Sequence, residues 1–234
     1  MNDRTRLTRR QLVQGGLGAV AMVAGAPLLA AGPTPTQTEG PFFPKKDQAD
    51  KDLDMTRVEG RSEAAFGEVI EISGQVLDET GAPIAGALVD VWQANSHGRY
   101  DHESDPNPAP LDPNFGGCGR TLTAPDGSYE FLTIRPGAYP WPNHVNSWRP
   151  MHIHWSVFGS GFGQRLITQN YFEGDPLIPL CPIVNTIGQQ AAIDVLVAPL
   201  DMNRAMPMNC LAYKFDIVLR GRRQSFFENR KEGL

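Results

Sequence analysis

The 234-residue chain predicts an all-β protein: a β-sandwich core with long loops, few short helices and an extended N-terminal arm. Three observations lead there. Glycine and proline are both plentiful, 24 and 20 residues, which favours frequent turns over long helices. Short runs of β-patterned residues recur after residue 67. Between those runs lie strong turn signals: Glu79-Thr80-Gly81-Ala82-Pro83, Ala124-Pro125-Asp126-Gly127 and Arg135-Pro136-Gly137.

Taken in order, residues 1–31 read as an address. Arg4, Arg6, Arg9 and Arg10 precede an almost uncharged stretch from Leu12 to Ala31 that is too rich in Gly and Ala for a convincing membrane span. Thr8-Arg9-Arg10-Gln11-Leu12-Val13 resembles a twin-arginine signal, which implies bacterial export of a folded protein to the periplasm. A disordered basic tail is the plainer alternative. Residues 32–66 are polar, Pro-containing and aperiodic, and form the expected arm; residues 67–234 form the expected sandwich domain.

Within that domain, strands are expected at Glu68 to Leu77, Ala87 to Gln93, Tyr129 to Ile134, His152 to Phe158, Arg165 to Tyr171 and Lys214 to Arg220. A helix is expected at Val184 to Gln189, and a short turn near Pro199 to Arg204. A hydrophobic fraction of 41% and a charged fraction of 20% are ordinary for a domain that buries a core. A net charge of -5, with no Lys/Arg cluster beyond the N-terminus, speaks against nucleic acid as a partner. Cys118, Cys181 and Cys210 form no CxxC pair and read as small buried apolar residues.

The chemistry is written in Trp148-Arg149-Pro150-Met151-His152-Ile153-His154-Trp155. In a strand, residues two apart share a face, so His152 and His154 project side by side while Met151, Ile153, Trp155 and Val157 turn to the core. Two imidazoles on one face grip a metal, or else form a satisfied polar face. Further hard donors are Tyr100, in Gly98-Arg99-Tyr100-Asp101, and Tyr139, in Gly137-Ala138-Tyr139-Pro140-Trp141. Both lie in turn-rich loops, where a rigid sandwich carries its functional groups. A bound cation strips the phenol proton, and the resulting phenolate favours ferric iron. Each tyrosine taken alone also reads as a packed aromatic.

These motifs, together with Ile72-Ser73-Gly74-Gln75-Val76, Val89-Asp90-Val91-Trp92-Gln93, Gln37-Thr38-Glu39-Gly40-Pro41-Phe42 and Tyr171-Phe172-Glu173-Gly174-Asp175-Pro176-Leu177, resemble the intradiol ring-cleavage dioxygenases. The resemblance spans essentially all of the chain after the leader. The tail Leu211-Ala212-Tyr213-Lys214-Phe215-Asp216-Ile217-Val218-Leu219-Arg220-Gly221 is similar to that of the protocatechuate 3,4-dioxygenase beta subunits.

The resemblance implies a mononuclear Fe(3+) held by Tyr100, Tyr139, His152 and His154, with a catechol-type substrate and O2. It implies that Tyr139 leaves the metal and takes a substrate proton, and that Arg149 stabilises the ketonised, carbanion-like substrate. It further implies that Gln169, Trp141 and Ile183 line the substrate pocket, and that a paralogous alpha subunit completes a hetero-oligomer. Without the resemblance, Arg149 reads as a surface salt-bridge partner. His97, His102 and His144 match no ligand role. Protocatechuate is the favoured substrate; hydroxyquinol, catechol and sulfonated catechols stand beside it. An exported β-sandwich binding module without metal chemistry is the reading from another class.

Overall fold

The computed structural model describes residues 32–44, 52–141, 147–159, 161 and 164–220. The leader with Arg9 and Arg10, and His144, lie outside them.

Among the described residues, eleven strands build two facing sheets and a small ribbon. In the first sheet, β1 (Val69–Asp78) pairs antiparallel with β4 (Ser128–Ile134). Along its other edge β1 pairs in parallel with β10 (Leu211–Lys214) and then β11 (Ile217–Leu219). The second sheet has the order β3-β2-β7-β8-β9, made of Cys118–Leu122, Leu88–Trp92, His152–Phe158, Arg165–Phe172 and Val197–Ala198. The ribbon joins β5 (Tyr139–Pro140) to β6 (Trp148–Arg149).

The expected all-β class holds, and the expected runs at residues 68–77, 87–93, 129–134, 152–158 and 165–171 all contain strands. Two expectations are corrected. Lys214 to Arg220 is not one strand, because the chain breaks at Phe215 and Asp216. There Phe215 N–H donates to Ser73 O at 2.8 Å, and the Asp216 carboxylate accepts from Gln75 N–H at 2.9 Å. The break needs Gly74, since a Cβ at that position would lie 1.8 Å from Phe215 O. The helix expected at Val184 to Gln189 is two short helices instead, α1 (Pro182–Asn185) and α2 (Gln190–Val195), separated at Gly188, which has φ +71°. Pro182 starts the first and the left-handed glycine ends the run, so the apolar periodicity spans a joint rather than one helix.

The core lies between the two sheets. Ile70, Ile72 and Val76 of β1 and Phe131 of β4 meet Val89, Val91, Ile153, Trp155 and Val157 of the opposite sheet. Trp155 is fully buried, with its ring 5.3 Å from that of Tyr129 and 5.4 Å from that of Phe215. Its indole N–H donates to Asn170 Oδ1 at 2.8 Å. Ile153, Trp155 and Val157 thus take the core side as alternation requires, and His152 and His154 face the other way.

That other face is covered as well. A second cluster of Trp92, Ala94, Tyr100, Cys118, Tyr139 and Ile167 packs there, with Phe42 and Phe43 of the arm against it. The arm runs along the edge of the sheet. Thr34 exchanges hydrogen bonds with Val218, Gln37 N–H donates to Ile167 O at 2.9 Å, and Thr168 Oγ1 donates to Pro35 O at 2.8 Å.

Candidate metal and substrate site

Register brings the functional side chains into one row. Across β7 and β8, His152 lies opposite Tyr171 and His154 opposite Gln169, while Trp92 of β2 lies opposite His154 on the other side. Directly opposed residues share a face, so Trp92, His154, His152, Gln169 and Tyr171 lie on the face opposite Ile153 and Trp155, with the Tyr171 ring also packed into the large apolar cluster. The Trp92 and His154 rings stack at 4.9 Å and 11°.

The two tyrosines come from separate loops that are pinned together by glycines. The Asn95 side chain accepts from His97 N–H and Arg99 N–H, folding the loop that ends at Tyr100. Gly98, with φ +78°, and Gly137 allow the two loops to touch: a Cβ on Gly98 would lie 2.5 Å from Ala138 O, and one on Gly137 would lie 2.4 Å from Gly98 N. Close approach of the backbones carries Tyr100 and Tyr139 to the histidines.

The resulting cluster is tight and dry. Tyr100, Tyr139, His152 and His154 are all buried, none more than 8% exposed. The Tyr100 hydroxyl lies 3.4 Å and the Tyr139 hydroxyl 3.5 Å from His152 Nε2. The His152 and His154 ring centroids are 4.9 Å apart. His152 Nδ1 lies 2.6 Å from Pro150 O; a carbonyl only accepts, so Nδ1 carries the hydrogen and the Nε2 lone pair faces the two phenols. His154 Nδ1 is buried without a hydrogen-bond partner among the described residues.

Burial holds both imidazoles well below the usual histidine range, and the Arg149 charge pushes them further the same way. They are neutral, the form that binds a metal. Two neutral imidazoles and two phenols are a hard nitrogen and oxygen set, which fits a ferric ion. Among the described residues no group of three or more His, Cys, Asp and Glu side chains gathers, so the His/Tyr mixture is the distinctive donor set.

Arg149 is the other polar group here, and the surface salt bridge is corrected: it is 1% exposed. Pro150 and the short ribbon β5–β6, with Tyr139 opposite Arg149, bring it inside. Its guanidinium donates to Gln169 Oε1. Gln169 is fully buried, and its Nε2 donates to Thr38 O of the arm at 3.0 Å. Ile183 is buried in the same apolar cluster as Tyr171, and Trp141 packs against that cluster. His97 stacks on Phe66 at the surface, with centroids 5.3 Å apart, and His102 packs near Phe42. Cys118, Cys181 and Cys210 are buried, as expected of small apolar residues, and form no disulfide among the described residues.

Sequence reasoning missed Tyr171 and Gln37. Tyr171 had a usable signal, because it follows Gln169 by two residues on one strand face. Gln37 lay in a quoted family motif, but its role was hidden because it reaches the site across 134 residues of chain.

A family model described as Dioxygenase matches residues 38–221. The chain belongs to the intradiol ring-cleaving dioxygenase family. It is 50% identical over 182 residues to a protein named protocatechuate 3,4-dioxygenase beta chain from Burkholderia cepacia, covering 78% of this chain and 77% of that one. It is 29% identical over 202 residues to a protocatechuate 3,4-dioxygenase alpha chain from Pseudomonas putida, covering 83% and 94% of the two. Among solved structures, 3-chlorocatechol 1,2-dioxygenase from Rhodococcus opacus 1CP aligns with a TM-score of 0.60 at 25% identity, over 80% of this chain and 72% of that one.

Proposed function

We propose that this chain cleaves the protocatechuate ring between its two hydroxylated carbons with O2, giving 3-carboxy-cis,cis-muconate, at a ferric ion held by Tyr100, Tyr139, His152 and His154. The observation that carries the reading is the convergence of both tyrosine hydroxyls on the Nε2 of a neutral His152, with His154 beside it. A ferric ion held there by Tyr100, Tyr139, His152 and His154 would supply the Lewis acidity that makes a catechol hydroxyl easier to deprotonate.

The residues of the chain account for the rest. Tyr139 Oη takes the proton of an incoming catechol hydroxyl. Arg149, permanently charged and buried, stabilises the electron-rich ring as charge moves onto its carbon. Gln169 orients that guanidinium. Trp141 and Ile183 bound the substrate side. Burial of the cluster keeps out water that would compete for the reactive ring.

Protocatechuate is preferred on the identity to the beta chain named above, and a paralogous chain like the named alpha chain is the partner that fits. We place the complex in the periplasm on the strength of Arg9 and Arg10 in the leader. No helix of the described residues is long and apolar enough to cross a membrane.

The test is the visible spectrum of the purified protein with Fe(3+), before and after anaerobic protocatechuate, followed by oxygen uptake on protocatechuate, catechol, hydroxyquinol and a sulfonated catechol. A broad phenolate-to-iron band that shifts with substrate, and fastest turnover of protocatechuate, is the expected result. A protein that stays colourless with iron and its partner chain overturns the site. Faster turnover of another catechol overturns the substrate.

A further inference from the structure

The arm before the sandwich reaches the buried arginine through a chain of hydrogen bonds. The Tyr171 hydroxyl lies 2.7 Å from Gln37 Oε1 and 3.4 Å from Gln169 Oε1. Arg149 donates to that same Gln169 Oε1. Tyr171 and Gln169 are fully buried, and Gln37 and Arg149 nearly so.

The proton count decides the direction of this chain. A guanidinium has donors only, and a phenol has a single proton. The Tyr171 hydroxyl therefore has one hydrogen to give, and it satisfies one acceptor at a time. Gln37 Oε1 is the nearer of two. The farther, Gln169 Oε1, already receives the guanidinium. Without the Gln37 carbonyl, the Tyr171 hydrogen turns to Gln169 and competes with Arg149 for it.

The arm is held well enough to supply that acceptor. Gln37 N–H donates to Ile167 O, Thr168 donates to Pro35 O, and Gln169 Nε2 donates to Thr38 O. These bonds bracket Gln37 on both sides. The Arg165–Glu39 ion pair at 3.3 Å and the Phe42 ring 4.7 Å from the Tyr100 ring extend the hold to the metal side.

We propose that Gln37 is a positioning residue: by taking the Tyr171 hydrogen it leaves Gln169 Oε1 wholly to Arg149 and so fixes the guanidinium against the substrate. The inference rests on the role assigned to Arg149 above. It gives the arm a part in the rate as well as in folding.

The test uses the iron-loaded full chain with Gln37→Leu, Gln37→Glu, Tyr171→Phe and the Gln37→Leu/Tyr171→Phe double variant. Gln37→Leu removes the acceptor at similar size; Gln37→Glu keeps it. Gln37→Leu is expected to lower kcat about tenfold with KM little changed and the iron band intact. Gln37→Glu is expected to keep most of the rate. The double variant is expected to lose no more than the worse single one, because both remove the same bond. A second readout needs no turnover: in the iron-free chain, the Tm losses of the two single variants should fail to add.

Wild-type kcat in Gln37→Leu, or additive losses in both readouts, overturns the positioning role. If Arg149→Ala itself keeps full kcat, the fault lies in the reading of Arg149, and the positioning role falls with it. A chain that never develops the iron band overturns the site as a whole.

Discussion

Trp155 stands behind the strand that carries His152 and His154, so replacing it by phenylalanine probes how the core holds the site. Phe keeps an aromatic ring near Tyr129, Phe131 and Phe215 but loses the indole N–H that reaches Asn170 Oδ1 at 2.8 Å. Asn170 is fully buried, so its carbonyl is left without that donor. An orphaned buried acceptor costs about 2 kcal/mol. The smaller ring leaves space in a core that is closed on all sides, for about 1 kcal/mol more. With a urea slope of about 2 kcal/mol/M, the combined loss lowers the unfolding midpoint by about 1.5 M. Urea unfolding of the iron-free chain, followed by circular dichroism, reads it directly. In the Trp155→Phe/Asn170→Leu variant part of the loss returns, because no carbonyl is orphaned. A midpoint shift below about 0.5 M, with unchanged slope, refutes the account of the hydrogen bond as structural.

Four further outcomes are expected. Both site histidines have folded values depressed by burial, so the unfolded chain binds more protons once pH drops below its ordinary histidine value of about 6.5. Stability of the iron-free chain is therefore full above that pH and falls by up to about 1.4 kcal/mol per unit for each histidine as pH descends; a flat profile between pH 7.5 and 5.5 counts against neutral imidazoles. Gly74→Ala places a methyl into Phe215 O and should yield little soluble protein or a Tm fall of more than 10 °C, roughly the effect of 3 kcal/mol in a domain of this size; a Tm within 2 °C of wild type contradicts the break described there. Asp175 accepts Met151 N–H at 2.8 Å and Leu177 N–H at 2.9 Å, clamping the start of the histidine strand. Asp175→Ala should weaken iron retention about tenfold in a chelator competition, a loss of about 1.4 kcal/mol, whereas unchanged retention would make the clamp irrelevant to the site. Replacing Arg9 and Arg10 by lysines should trap the chain in the cytoplasm, and normal export of that variant, read by fractionation, would remove the twin-arginine assignment.

Much of the fold was legible because its signals are local. Alternation placed Ile153, Trp155 and Val157 in the core and the histidines opposite, and turn residues bounded the main strands. Short elements escaped because they carry too few residues for a period: the ribbon of Tyr139–Pro140 with Trp148–Arg149, and Val197–Ala198. The break at Phe215 was hidden because its cause is Gly74, far away in sequence. At the site, His152 and His154 declared themselves by spacing, while Tyr100 and Tyr139, candidate donors by their loops, were tied to the metal by their family motifs. Arg149 shows the limit of reading charge alone. A lone arginine in sequence suggests solvent; the register of a two-residue ribbon puts it in the interior.

The parallel pairing of β1 with β10 and β11 also sets an order of events. Its first strand begins at Val69 and its last ends at Leu219, and Thr34 is bonded to Val218. During synthesis, the first sheet cannot close until almost the whole chain has left the ribosome. Closure is therefore a late step dominated by distant contacts. Until then the apolar strands stay exposed to chaperones and to neighbouring chains. A chain cut short before Leu219 lacks the strand that both β1 and the arm require, so truncation at the tail should be felt at the opposite end of the sequence.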